Sequence, residues 1–109
     1  MLKKGGIYQY KDTIAYFVVI DITKTRVYYY QILSIATTKT ISRDLIIAEL
    51  NHQIDNILLK NNHNYFFTAP VENVEKVVNG YVGNIYEEQI QELEDELKKV
   101  EFDKNGYAY

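Results

Sequence analysis

Four tyrosines stand at the two-residue spacing of β-strands: Tyr8 and Tyr10 before Lys11, Tyr28 and Tyr30 after Arg26. Residues two apart in a strand share a face, so the rings of each pair point together. With Lys3, Lys4, Lys11 and Arg26 nearby, an exposed strip of this kind would hold single-stranded nucleic acid by stacking bases on rings, at about 1–3 kcal/mol each. The same residues would serve equally as hot spots of a protein interface. Rings packed over the core, with hydroxyls at its rim, are the third reading. A second set is acidic: Glu87, Glu88, Glu92, Glu94, Asp95 and Glu96. Catalytic carboxylate pairs need environments that push their pKa values apart, and such density on one face describes a solvated surface instead. The chemistry open to it is recognition, because an acidic surface of this density imitates a nucleic-acid backbone and would occupy a basic groove of a protein partner.

Other chemistries find little footing. The chain has no cysteine, and His52 and His63 lie 11 residues apart outside any HExxH spacing, so no metal site is expected. Gly5-Gly6 precedes a strand instead of joining one to a helix, so no phosphate loop and no cofactor are expected. The apolar run Ile14–Ile20 is short and interrupted by Tyr16, which argues against a membrane span and for a cytoplasmic protein. A chain of 109 residues with 47 % hydrophobic and 25 % charged residues is one domain's worth of ordinary globular sequence. Charge is unevenly placed. Residues 1–71 carry eight Lys/Arg against five Asp/Glu, and residues 72–109 carry four against ten, a basic body with an acidic end.

The elements that must position these residues are readable from period. Ile7–Tyr10, Thr13–Ile22 and Arg26–Ala36 are rich in strand formers and separated by short turns at Lys11-Asp12 and Thr23–Thr25, which predicts an antiparallel meander. Ala15–Ile20 is apolar on both faces and is expected to be central. Ile46, Leu50, Ile54 and Ile57 follow at helical steps after Ser42, a good N-cap, predicting a helix over 43–60. A strand over 64–69 and a short helical stripe over 71–78 come next. Asn84 with Glu87 has capping-box spacing, and Tyr86, Ile90, Leu93, Leu97 and Val100 form one stripe of a final amphipathic helix. Residues 1–102 are expected to form one α+β domain, a meander curled into a small partly closed barrel with a mid-chain and a C-terminal helix. Residues 103–109 are expected to fray.

Several of these segments resemble the MazF/PemK toxin family, small barrel proteins that cleave single-stranded RNA. Lys3-Lys4-Gly5-Gly6-Ile7-Tyr8 is similar to that family's first strand and Phe17–Ile20 to its second. Tyr65–Val71, with Val74–Val78 after it, resembles the strand and short helix near its end. Val82–Glu88 with Ile90, Leu93 and Leu97 resembles its closing glycine, acidic cap and final helix. The resemblance implies toxin-antitoxin-type, metal-independent RNA cleavage and is compatible with a homodimer, and it leaves open whether an antitoxin accompanies this chain. The family's catalytic arginine, in the loop before the second strand, is missing here: that connection is Lys11-Asp12-Thr13. A displaced set would be Ser34 or Thr37 with Arg43, the hydroxyl and the cation that phosphoryl transfer needs. The leading expectation is therefore a non-catalytic relative that binds, and thereby inhibits, a protein partner with a basic groove, through the acidic helix or the tyrosine-rich sheet. The alternatives are a toxin-type endoribonuclease and a single-stranded nucleic-acid binding module.

Overall fold

Strand formers on both sides of two short turns give the framework. The computed structural model describes residues 1–12, 15–32, 42–60 and 63–109. In it β1 (Gly6–Tyr10), β2 (Tyr16–Ile22) and β3 (Arg26–Ile32) form the antiparallel meander. Thr23 closes the second turn, its N–H donating to the Arg26 carbonyl (2.8 Å) and its Oγ1 accepting from the Arg26 N–H (3.0 Å). Ala15, expected in the second strand, precedes β2, and the rest of the expected second and third strands, residues 13–14 and 33–36, lies outside the described residues. β4 (Phe66–Pro70) pairs with β3 and β5 (Val78–Asn84) with β1, both antiparallel, giving the order β4-β3-β2-β1-β5. The chain is thus α+β. Its sheet has two edges and is open, which is compatible with incomplete closure of a barrel. The fourth strand begins at Phe66 because His63–Tyr65 form a 3-10 turn.

Both faces of the sheet are covered. α1 (Arg43–Leu59) and α3 (Glu87–Leu97) pack over Ile7, Val18, Ile20, Tyr30, Ile32 and Phe66, to which they add Leu50, Ile54 and Leu93. α2 (Val71–Val77) brings Val74 to the opposite face, against Tyr8, Phe17, Val19 and Val27. β2 is central and apolar on both sides for this reason. Each aliphatic side chain so buried stabilises the fold by roughly 1.5–3 kcal/mol. α1 starts where the sequence places it, with Ser42 Oγ accepting from the Leu45 N–H (3.3 Å), and its stripe faces inward. No helix among the described residues is long and apolar enough to cross a membrane.

Two local expectations are corrected. The capping box does not form: Tyr86 is the N-cap of α3 and makes no side-chain capping bond, while Asn84 Oδ1 accepts from the Tyr81 hydroxyl (2.8 Å). The orphan amide at this end is satisfied from another helix, Asn51 Oδ1 of α1 accepting from the Tyr86 N–H (3.0 Å). Tyr86 therefore stays outside the stripe, 53 % exposed. The second correction concerns residues 103–109, which fold back instead of fraying. Asp103 Oδ1 accepts from the Asn105 and Tyr107 N–H groups, and Phe102 bridges to Ala108 and Phe67 to Tyr107. Gly106 accepts from the Thr68 N–H of β4 (3.0 Å). The C-terminus thereby covers the edge of β4, where bare amides would otherwise invite association. At the other edge β5 pairs irregularly with β1, and the Arg43 Nε donates to the Val82 carbonyl.

Candidate functional site

The tyrosine strip is divided by the register of the sheet. Ile7 pairs with Val18 and Val18 with Tyr30, whereas Tyr8 pairs with Phe17. Pairing residues share a face, so Tyr28 and Tyr30 lie on the α1/α3 side and Tyr8 and Tyr10 on the α2 side. Within each pair the rings do point together. Tyr8 and Tyr30 are buried, 3 % and 0 % exposed, and Tyr10 and Tyr28 are half-buried. Tyr30 packs edge-on against Phe66 (centroids 4.8 Å apart), and Tyr28 lies beside Phe102 (5.8 Å). Burial pushes the Tyr8, Tyr10, Tyr29 and Tyr30 hydroxyls up from their ordinary value, so none supplies a phenolate near neutral pH. Lys11 is exposed at the β1 turn. Arg26 is tied to the sheet, its Nε donating to Thr68 Oγ1 (3.1 Å). These six residues do not form one surface, because the pairings of β2, the strand between β1 and β3, leave the even-numbered residues of β1 and β3 on opposite sides.

Of the candidate catalytic set, Ser34 and Thr37 lie outside the described residues. Arg43 is exposed on the first turn of α1. Its guanidinium is engaged, bonded to the Val82 carbonyl and 5.5 Å from the centroid of the Tyr81 ring. Lys3 Nζ stands 4.2 Å from the same centroid. Tyr81, 41 % exposed, is thus the ring that draws cations, a role its position in an uncharged glycine-rich strand did not advertise. Among the described residues, no group of three or more His, Asp or Glu side chains is placed to hold a metal ion.

The acidic residues do form a surface. α3 turns Leu93 inward, and helical period then sends Glu87, Glu88, Glu92 and Asp95 outward, where all four are exposed. The remaining two are already partnered. Glu94 pairs with Lys4. Glu96 Oε2 lies 2.6 Å from His63 Nε2 and its Oε1 2.9 Å from Lys99 Nζ, contacts that hold its carboxyl below the usual range. Among the described residues none of the four exposed carboxylates has an ion-pair partner within 4.0 Å.

Beside this face runs a groove of about 630 Å³. α1 contributes Asp55, Leu58 and Leu59 to it, α3 contributes Glu92, Asp95 and Glu96, and Lys99 joins them from the turn just past α3. Leu59 is 83 % exposed. The walls are locked by polar residues that hydrophobic patterning passes over. Gln89, 5 % exposed on α3, donates through Nε2 to the Asn51 carbonyl (2.8 Å) and to Asp55 Oδ1 (2.6 Å). Asn51, 2 % exposed, bonds the Ile47 carbonyl as well as the Tyr86 N–H. The available signal was their place one residue from Leu50 and Ile90, at the margins of the two apolar stripes. What results is an apolar strip rimmed by carboxylates, which can desolvate aliphatic side chains and hold cations at their flanks. Comparison with family models, with curated proteins and with solved structures finds no match.

Proposed function

We propose that this chain is a non-catalytic binding protein that captures a cationic segment of a protein partner on the acidic α1/α3 surface, and inhibits a partner that needs that segment free. The observation that carries this reading is the conjunction of unpaired exposed carboxylates with an exposed leucine in one groove. Exposed carboxylates alone are ordinary. Set beside Leu59 they offer a cation its counter-charge and its aliphatic stem an apolar bed. The MazF/PemK-like element order enters this proposal as architecture without the loop arginine.

The test is calorimetric titration with a ten-residue oligolysine at several salt concentrations. Affinity should fall steeply as salt rises. It should drop at least tenfold in Glu88→Gln/Glu92→Gln/Asp95→Asn and stay unchanged in Glu72→Gln/Glu75→Gln, whose exposed carboxylates lie on α2. Equal losses in both variants, or binding indifferent to salt, would sink the proposal.

The Tyr81 cluster favours a second reading, single-stranded nucleic-acid binding, because two cations beside an exposed ring match a stacked base and its phosphate. Under it, Tyr81→Ala lowers affinity for a single-stranded oligonucleotide about tenfold, and an unaltered affinity discards it.

A further inference from the structure

Asp55, Leu58 and Leu59 stand at i, i+3 and i+4 on α1, and Glu92, Asp95 and Glu96 at i, i+3 and i+4 on α3, with Lys99 in the turn just past its end. Such spacings make a single stripe on a helix. Contacts step along both helices in the same direction, Asn51 meeting Tyr86 and Gln89, and Asp55 meeting Gln89. Two helices thus run side by side, each with one stripe turned to a shared furrow, as two members of a bundle face the place of a third. We infer that the occupant of this furrow is a cationic amphipathic helix of two to three turns, supplied by the partner. This rests on the binding reading above and specifies its ligand.

Three features select a helix. The walls are helices whose backbone groups are bonded internally, so they offer no ladder to an extended segment, which would enter with its own amides unsatisfied. A helix brings its backbone already paired. The wall from Glu92 through the closing turn at Lys99 is about 10 Å long at helical rise, which sets the length of the occupant. Charge then sets its face: aliphatic residues toward Leu58 and Leu59, with Lys or Arg one step to either side to meet Asp55, Glu92 and Asp95. Isologous docking of a second copy would place these carboxylates against their own equivalents, which like-charge repulsion opposes.

Three probes separate the outcomes: a ten-residue Leu/Lys peptide patterned as an amphipathic helix of just under three turns, the same peptide with Pro at its two central positions, and the ten-residue oligolysine. Each is titrated into the full chain and into Leu59→Ala, with the circular dichroism of bound peptide as a second readout. The helical peptide should bind at least tenfold tighter than its Pro variant and gain helicity when bound. Leu59→Ala should weaken it about tenfold and weaken oligolysine, which lays only lysine stems on that residue, by about twofold. Because Leu59 is 83 % exposed, that variant keeps its fold. Equal affinity for the helical and Pro peptides, with no effect of Leu59→Ala, overturns the helix and leaves the cation-binding reading standing. Absence of binding by all three probes overturns both. Dimerisation of the free chain that Leu59→Ala abolishes would overturn the inference in favour of a second copy.

Discussion

Gly106→Ala is expected to release the C-terminal segment from the sheet. Gly106 has φ +85°, and a Cβ built there would stand 2.0 Å from the Thr68 carbonyl oxygen. The obstacle is backbone, so no rotamer change removes it. The left-handed conformation alone costs a non-glycine residue about 1–2 kcal/mol. Relief of the overlap requires Gly106 to withdraw, which breaks its hydrogen bond from the Thr68 N–H and the Phe67–Tyr107 bridge. At about 0.5–1.5 kcal/mol per hydrogen bond, the expected loss is about 3 kcal/mol. For a domain of this size that lowers Tm by roughly 12–24 °C. Amide hydrogen exchange provides the local readout: the Thr68 N–H should exchange at the rate of an unpaired edge. Gly80→Ala is the control, because nothing lies within 4 Å of a Cβ there and Gly80 has no positive φ. Its stability should match the parent to within about 0.5 kcal/mol. A Gly106→Ala protein that melts with the parent and keeps Thr68 protected would refute the docked C-terminus.

Four further outcomes follow from buried polar groups and paired charges. Tyr30→Phe should stabilise the protein by about 1 kcal/mol in urea denaturation, since the fully buried hydroxyl has no hydrogen-bond partner among the described residues; destabilisation would reveal a partner. Asn51→Ala should cost about 1–3 kcal/mol and fray the first turn of α3, by removing the acceptor of the Tyr86 N–H; an unchanged melting curve would count against it. Glu96 is held below its ordinary value by His63 and Lys99, so its contribution is complete above about pH 4.5 and vanishes as pH falls through its lowered folded value. Glu96→Gln should accordingly flatten the decline of Tm between about pH 5 and 3, and parallel curves would contradict this. Incubated in EDTA with the parent protein or Arg43→Ala, single-stranded RNA should remain intact. Cleavage by the parent that Arg43→Ala loses would replace the non-catalytic reading with a ribonuclease.

The elements were legible wherever one residue type dominates one face. β2 reads as central because apolar residues occupy both of its sides, and α1 reads as a helix from Ile46, Leu50, Ile54 and Ile57, with Ser42 capping it as the local sequence indicates. What escaped is what depends on a distant partner. Asn84 and Glu87 have the spacing of a capping box, yet the acceptor for the Tyr86 amide comes from Asn51, 35 residues away. Asp103–Tyr109 has the polar, glycine-containing composition of a loose end, but the open edge of β4 gives it an amide to bind at Thr68. Neither edge nor partner exists until the sheet is assembled.

The same distinction separates the two binding surfaces proposed from sequence. The acidic face of α3 survives folding because both of its determinants lie within one helix: Leu93 fixes which side is buried, and 3.6-residue periodicity sends Glu88, Glu92 and Asp95 to the other. The tyrosine strip needed β1 and β3 to agree on a face, and agreement between strands depends on register. The pairings of Ile7 with Val18 and of Val18 with Tyr30 set Tyr30 beside the α1/α3 core and Tyr8 beside α2. A shift of one residue in either pairing would reverse that outcome, and no local pattern encodes it. The groove lies between these cases. Its charge is written on α3, but Leu59 reads as the unremarkable end of α1 until Gln89 ties the two helices together and sets that exposed leucine in the rim of an acidic furrow.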